Sequence, residues 1–187
     1  TSISSMEARD AAHAYDFKGI DTLMDVAGGH GVLLSTVLRR HKRMRGVLFD
    51  LPHVAAGAAA TFTRAGITGR VRIESGDFFK ELPSGSDAII MKHIIHDWDD
   101  ESATRILQAC HRALGRRGKV LIVDPVIPPG SAPHYGKYLD LEMLVLTPRG
   151  RERTKAEFAK LLRRAGFRLL RVIATEGPLS IVEAIKD

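Results

Sequence analysis

The sequence predicts an α/β fold: a doubly wound sheet of seven strands whose last strand runs antiparallel to the others. Three observations carry this reading. Short, continuously apolar runs such as Ala88-Ile89-Ile90-Met91 and Val120-Leu121-Ile122-Val123 suit parallel strands covered on both faces. Five strand-like runs alternate with segments of helical periodicity. The chain then closes on two strand-like runs joined by Thr175-Glu176-Gly177-Pro178, a link too short for a parallel crossover.

Taken in order, Ser5 to Phe17 fits a helix, with Ser4 or Ser5 as its cap and Glu7 in its first turn; Lys18-Gly19 ends it. Thr22 to Ala27 is the first strand. Val32 to His41 is a helix with Val32, Leu33, Val37 and Leu38 about one turn apart. Gly46 to Phe49 is the second strand and ends at Asp50. Pro52 suits a first helical turn, and His53 to Ala65 reads as an alanine-rich helix broken by Gly66 and Gly69. Val71 to Glu74 is the third strand and Asp87 to Lys92 the fourth. Asp99 or Asp100 caps a helix over Glu101 to Leu114, and Lys119 to Val123 is the fifth strand. Pro125 to Gly130 is a loop and Tyr138 to Leu146 a short helix. Thr154 and Glu157 form a capping box for Lys155 to Ala165. Phe167 to Ala174 and Leu179 to Ala184 are the closing strands.

In such a sheet, ligands sit at the carboxyl ends of the strands, where the strand order reverses. Ala27 to Gly31, Asp50, Asp77 and His93 to Asp97 all fall at carboxyl ends and so converge on one cleft. The stretch Asp25-Val26-Ala27-Gly28-Gly29-His30-Gly31 is a strand entering a helix through a glycine-rich turn, which lets a ligand approach the main chain and the helix N-terminus. Asp50 closes the next strand, where a carboxylate accepts ribose hydroxyls in both NAD and S-adenosylmethionine (SAM) sites. The dinucleotide pattern wants a further small residue where Leu34 stands, so the spacing favours SAM. Asp77, in Ser75-Gly76-Asp77-Phe78-Phe79, reads either as an acceptor for an adenine amino group, with Phe78 against the ring, or as a plain turn aspartate.

His96 lies just past the fourth strand, at the mouth of the cleft. A phenol has a pKa of about 10 and imidazole about 6.5, so complete proton transfer in advance is uphill by roughly 5 kcal/mol. A carboxylate beside the ring raises its basicity and fixes its tautomer. Asp124 and Glu152 are the candidates. The acidic run Asp97, Asp99, Asp100, Glu101 reads as helix capping in preference to a Mg²⁺ site. Cys110 lies within a helix and reads as core.

The chain has 187 residues, is 44% hydrophobic and 27% charged, and carries a net charge of +6. These are the values of a globular domain, and there is no apolar run of about eighteen residues to span a membrane. The first twenty residues are polar, so no leader is expected. With a single cysteine excluding an internal disulfide, the expected location is the cytoplasm. The basic residues are scattered, which argues against a nucleic-acid partner, and no Asn/Asp-Pro-Pro-Tyr/Phe motif follows the fourth strand.

Five blocks in this order and spacing make the sequence resemble a known family. They are Asp25 to Gly31, Phe49-Asp50-Leu51-Pro52-His53-Val54, Gly76 to Phe79, Lys92 through His96-Asp97-Trp98, and Gly150-Arg151-Glu152-Arg153-Thr154. The resemblance is to the SAM-dependent small-molecule O-methyltransferases of the caffeic acid and hydroxyindole type, and it covers about residues 20–187. It implies a Rossmann-like class I methyltransferase sheet. It implies that Ala27, Gly28, Gly29, Gly31, Asp50 and Leu51 hold SAM, that Asp77 and Phe78 hold its adenine, and that Lys92 contacts the cofactor. It further implies His96 as general base flanked by Asp124 and Glu152, a small hydroxyl substrate, S-adenosylhomocysteine (SAH) as product, and no metal. Two departures stand out: Ala27 replaces the first glycine of the family's turn, and Asp124 is one methylene shorter than the usual Glu. The family's N-terminal helical domain makes a homodimer and lines the substrate pocket. Residues 1–19 are expected to be its remnant and residues 20–187 the SAM-binding catalytic domain.

The expected function is therefore methyl transfer to a hydroxyl of an aromatic or polyketide-like molecule. The alternative is a SAM-binding fragment without turnover. A nucleic-acid methyltransferase and a dehydrogenase are the remaining readings. The pocket wall is expected along Tyr138 to Pro148, with Met143, Leu144 and Leu146.

Overall fold

A computed structural model describes residues 2–187. The helix α1 (Ser2–Ala14) precedes the sheet. The strands are β1 (Thr22–Val26), β2 (Arg45–Asp50), β3 (Val71–Ser75), β4 (Ala88–Lys92), β5 (Lys119–Asp124), β8 (Phe167–Ala174) and β9 (Ser180–Lys186). Two-residue strands β6 (Val126–Ile127) and β7 (Arg153–Thr154) form a separate parallel pair. The main sheet has the order β3-β2-β1-β4-β5-β9-β8. Only β9 runs against its neighbours, slotting antiparallel between β5 and β8. The order reverses between β1 and β4, which places the switch point beside the glycine-rich turn.

Alternation along each strand feeds two apolar layers. Met24, Val47, Ile89, Val120 and Val182 face one layer, which includes α5 (Asp100–Ala113) and α7 (Lys155–Arg164). Leu23, Leu48, Ile90, Leu121 and Ile181 face the other, with α1, α2 (Val32–Arg40) and the short α4 (Ala59–Arg64). In α1, Ala8, Ala11, Ala12 and Tyr15 just beyond it are buried in that second layer, so the helix is part of the core. Among the described residues no helix is long and apolar enough to cross a membrane.

The expected boundaries shift in four places. Helix α1 runs over Ser2–Ala14 instead of Ser5 to Phe17, so Ser4 and Ser5 lie inside it and Glu7 falls beyond its first turn. The helix read over His53 to Ala65 is two short helices, α3 (Pro52–Ala55) and α4. The break falls at Gly57, which packs under His30 so closely that a Cβ would lie 2.9 Å from its Nε2. Helix α6 (Tyr135–Leu146) begins three residues before the expected Tyr138, because His134 Nδ1 accepts the Gly136 N–H at 3.1 Å and caps it. The loop after β5 contains β6, whose pairing with β7 draws residues 150–154 across the end of the sheet. The caps match the sequence pattern: Asp99 accepts the Ser102 N–H at 2.8 Å, and Thr154 and Glu157 complete a capping box.

Candidate active site

The glycine-rich turn opens a cleft of about 360 Å³ at the carboxyl end of β1, lined by Asp25, Ala27, Gly28, Gly29, His30 and Lys92 among others. Its shape depends on missing side chains. A Cβ on Gly28 would lie 2.5 Å from Leu48 Cδ1 and 2.6 Å from Asp25 Cγ, and one on Gly31 would enter the Phe62 ring. Asp50 ties the turn to the end of β2: its Oδ2 accepts the Gly29 N–H at 2.8 Å and its Oδ1 accepts the Leu51 N–H at 2.7 Å. The Leu51 side chain is exposed at this edge. Ala27 has a φ of 54°, in the left-handed region, where a non-glycine residue costs about 1–2 kcal/mol. Ala27→Gly is therefore expected to raise stability by about 0.5–1 kcal/mol after glycine's entropy cost, read as a small increase in Tm.

Asp77 Oδ1 accepts the Phe79 N–H at 2.9 Å, which makes it a turn aspartate whatever else it binds. Phe78 and Phe79 pack edge-on against Trp98, with centroids 6.1 and 4.8 Å away. Lys92 reaches back to α1: its Nζ donates to Glu7 Oε2 at 3.0 Å and to Ser4 Oγ at 3.3 Å.

Asp25 is the residue whose part in the cleft the sequence did not single out. It is fully buried, and its Oδ2 has no partner. Burial pushes its carboxyl up to about 7, against the pull of the Leu34 N–H and Lys92. A buried polar atom left unpaired costs free energy and calls for a ligand or an ordered water. Among the described residues, four buried side-chain polar atoms lack partners. Asp25, Asp124 and Glu152 supply three of them, all at this end of the sheet.

His96 sits in a 3₁₀ turn just after β4, buried at 6% exposure. Its Nδ1–H donates to Glu152 Oε1 at 2.8 Å. Asp124 meets the same residue elsewhere: its Oδ2 accepts the His96 backbone N–H at 3.1 Å. Of the two carboxylates expected to flank the ring, Glu152 is hydrogen-bonded to the imidazole and Asp124 to the main chain, as its shorter side chain suits. Asp97 Oδ1 lies 3.5 Å from Nε2. Burial opposes a charge on His96, but the Glu152 hydrogen bond and the carboxylates of Asp124, Glu152 and Asp97 outweigh it, raising the imidazole to about 9. Burial also pushes the Glu152 carboxyl up, with His96 pulling the other way. The shared proton belongs on Nδ1, the intrinsically more basic partner. In the neutral ring, which forms above about pH 9, that leaves the lone pair on Nε2, the nitrogen beside Asp97.

How this pair is held is visible only in the folded chain. Arg153 is completely buried and fans its guanidinium over the turn. It donates to Ile95 O at 2.9 Å, Trp98 O at 2.7 Å and Asp100 Oδ1 at 2.9 Å. The Arg151 N–H donates to His96 O at 2.8 Å, and Asp140 accepts the Glu152 N–H at 2.7 Å. His93 has a φ of 57° and its ring lies beside His96, centroids 5.1 Å apart. Its Nε2 meets Glu7 Oε2 at 3.1 Å. Next to Asp97 and Trp98, a mainly apolar cavity of about 620 Å³ is walled by Met143, Leu146, Thr147 and Pro148. Leu144, expected on the same wall, is instead exposed. Cys110 is buried, and burial pushes its thiol up to about 12.

A family model described as an O-methyltransferase domain matches residues 1–168. A phenazine O-methyltransferase from Lysobacter antibioticus is 46% identical over 177 residues, covering 95% of this chain and 52% of its own length. A mitomycin biosynthesis 6-O-methyltransferase from Streptomyces lavendulae is 39% identical, covering 97% of this chain and 52% of its own. A crystal structure titled LaPhzM superposes with a TM-score of 0.93 at 44% identity, over 99% of this chain and 55% of that one. The O-methyltransferase NcsB1 from neocarzinostatin biosynthesis, solved with SAH and 1,4-dihydroxy-2-naphthoic acid, superposes with a TM-score of 0.87 at 33% identity, over 100% of this chain and 56% of that one. The chain thus spans about half the length of these relatives. With nearly its whole length matched in sequence and in fold, it belongs to the O-methyltransferase domain family.

Proposed function

We propose that this protein transfers a methyl group from SAM to a hydroxyl of a small aromatic or polyketide-like molecule, with His96 as general base. The observation that carries the reading is the His96–Glu152 pair: a buried imidazole whose Nδ1 is fixed on a carboxylate, in a turn flanked in sequence by Lys92 of the glycine-rich cleft and by Asp97 and Trp98 of the apolar cavity. The cleft fits SAM on two counts. Its turn keeps glycines where a Cβ would collide with Leu48, Asp25 or Phe62, and it contains the unpaired Oδ2 of Asp25, which suits a cationic ligand. When bound, SAM supplies a methyl group made electrophilic by its sulfonium. Ala27, Gly28, Gly29 and Gly31 would hold it through the main chain, Asp50 and Leu51 at the ribose, Asp77 and Phe78 at the adenine, and Lys92 and Asp25 beside the turn. The chain's own work is proton management. Nε2 of His96 takes the hydroxyl proton, and Glu152 keeps the ring in the productive tautomer and supports its charge. Asp124 sets the ring's position through the backbone of residue 96. Met143 and Leu146 would offer an apolar wall to the aromatic part of the substrate.

The names of the relatives support aromatic hydroxyls as the substrate class. The exposed Tyr138, Leu141, Leu144 and Val145 on α6 fit the expectation that a helical dimerisation domain and a second copy complete the assembly. The test is to incubate the protein with SAM and a panel of hydroxyphenazines, hydroxynaphthoates and simple phenols, and to identify products by mass. A methyl ether with stoichiometric SAH is expected. SAH binding with no product from any hydroxyl compound would favour the alternative of a cofactor-binding chain without turnover.

A further inference from the structure

We propose that His93, His96 and Asp124 form a binding site for a divalent transition-metal ion of the zinc class, which blocks the base instead of serving the reaction. Donor atoms of these three residues lie within 4.8 Å of one another. A tetrahedral ion with bonds of about 2.0–2.1 Å needs donors roughly 3.3 Å apart. The three side chains must therefore draw together on binding an ion.

Two independent features point to an ion. The first is the environment of the imidazoles. Each has its outer nitrogen already on a carboxylate: His96 Nδ1 on Glu152 at 2.8 Å and His93 Nε2 on Glu7 at 3.1 Å. That is the outer-shell arrangement that orients metal-ligating histidines, with the carboxylate fixing the tautomer and aiming the other nitrogen inward. The second feature is Asp124. It is completely buried, one oxygen serves the His96 N–H, and Oδ1 has no partner. A buried carboxylate oxygen with nothing to accept is costly, and a cation resolves that cost. His93 is moreover held in the left-handed backbone region, at φ 57°, a strain that tends to persist where side-chain placement matters. Asp97, Glu152 and Glu7 stand beside the two rings, with Lys92 paired to Glu7, so the local field favours a cation. Two imidazoles and one carboxylate select zinc-like ions over Mg²⁺ or Ca²⁺, and leave one position open for water.

Nε2 of His96, the nitrogen left for the ion, is the atom the proposed reaction needs. The binding itself does not depend on that reaction; only the inhibitory consequence does. The test is a binding measurement on the untagged protein stripped with chelator. Zn²⁺ alone is titrated calorimetrically and retained metal is counted after gel filtration, with Co²⁺ as a spectroscopic probe. One Zn²⁺ per chain is expected, together with a visible Co²⁺ spectrum of four- or five-coordinate type. His93→Asn tolerates the left-handed backbone and is expected to weaken Zn²⁺ at least tenfold, as is Asp124→Asn. Thermal unfolding checks that both variants are folded. No retained zinc in the native protein, an octahedral cobalt spectrum, or equal zinc binding by a folded His93→Asn variant would overturn the site. These readouts need no substrate, so failure of the metal site and failure of the methyl-transfer reading are distinguishable.

Discussion

His96→Ala is expected to lower methyl transfer by about 10²–10⁴-fold while leaving SAH affinity unchanged. The separation follows from the geometry, because His96 is bonded to Glu152 and Asp124, whereas the glycine-rich cleft is built by β1, Asp50 and the start of α2. The pH dependence has a definite sign. The base works only as the neutral imidazole, and its surroundings raise it to about 9. Below that value the neutral fraction falls tenfold per pH unit, so the rate constant at limiting substrate should climb with pH and level off near 9. Glu152→Gln removes the bonded carboxylate that opposes burial. The rising limb should then move to lower pH while the plateau falls. A purely structural role for Glu152 would lower the rate without moving the limb.

The largest effect on stability is expected at Gly31. Its φ is 74°, costing a substituted residue about 1–2 kcal/mol. The added Cβ would also enter the ring of Phe62, and overpacking of this kind costs about 1–3 kcal/mol. Gly31→Ala should therefore lose about 2–5 kcal/mol, lowering Tm by roughly 5–15 °C for a chain of this size. Gly66→Ala is the matched control. It has a φ of 66° but nothing within 4 Å of the new Cβ, so only the backbone cost applies. Equal losses at the two positions would show that the Phe62 contact is unimportant.

The central strands and the switch point were legible because parallel strands buried on both faces are written as short apolar runs, followed here by Asp or Gly at the sheet edge. Asp50, Gly28, Gly29 and Gly31 could be placed at one edge for that reason. The capping residues Asp99 and Thr154 were legible because capping is local chemistry. What depended on distant packing was not. Gly57 looks like any residue in an alanine-rich helix until His30 is seen above it. The β6–β7 pair is two residues long and has no periodicity to detect. Glu7 reads as a first-turn acid, yet it bridges Lys92 and His93 on another element, 85 and 86 residues away. Arg153 carries the charge of a surface residue, and its burial is offset by carbonyl and carboxylate partners at Ile95, Trp98 and Asp100, in and just after the 3₁₀ turn. The division of labour between Asp124 and Glu152 turns on a single methylene and on the path of residues 150–154.

The central claim is that the glycine-rich cleft is a SAM site. Calorimetric titration of the folded protein with SAH, beside Asp50→Ala, tests it most directly. One site per chain with micromolar affinity is expected. Asp50→Ala should lose about 10–100-fold, from the removal of charge-assisted hydrogen bonds worth about 1.5–3 kcal/mol. No heat and no thermal shift with SAH or SAM, from a protein shown to be folded, would contradict it.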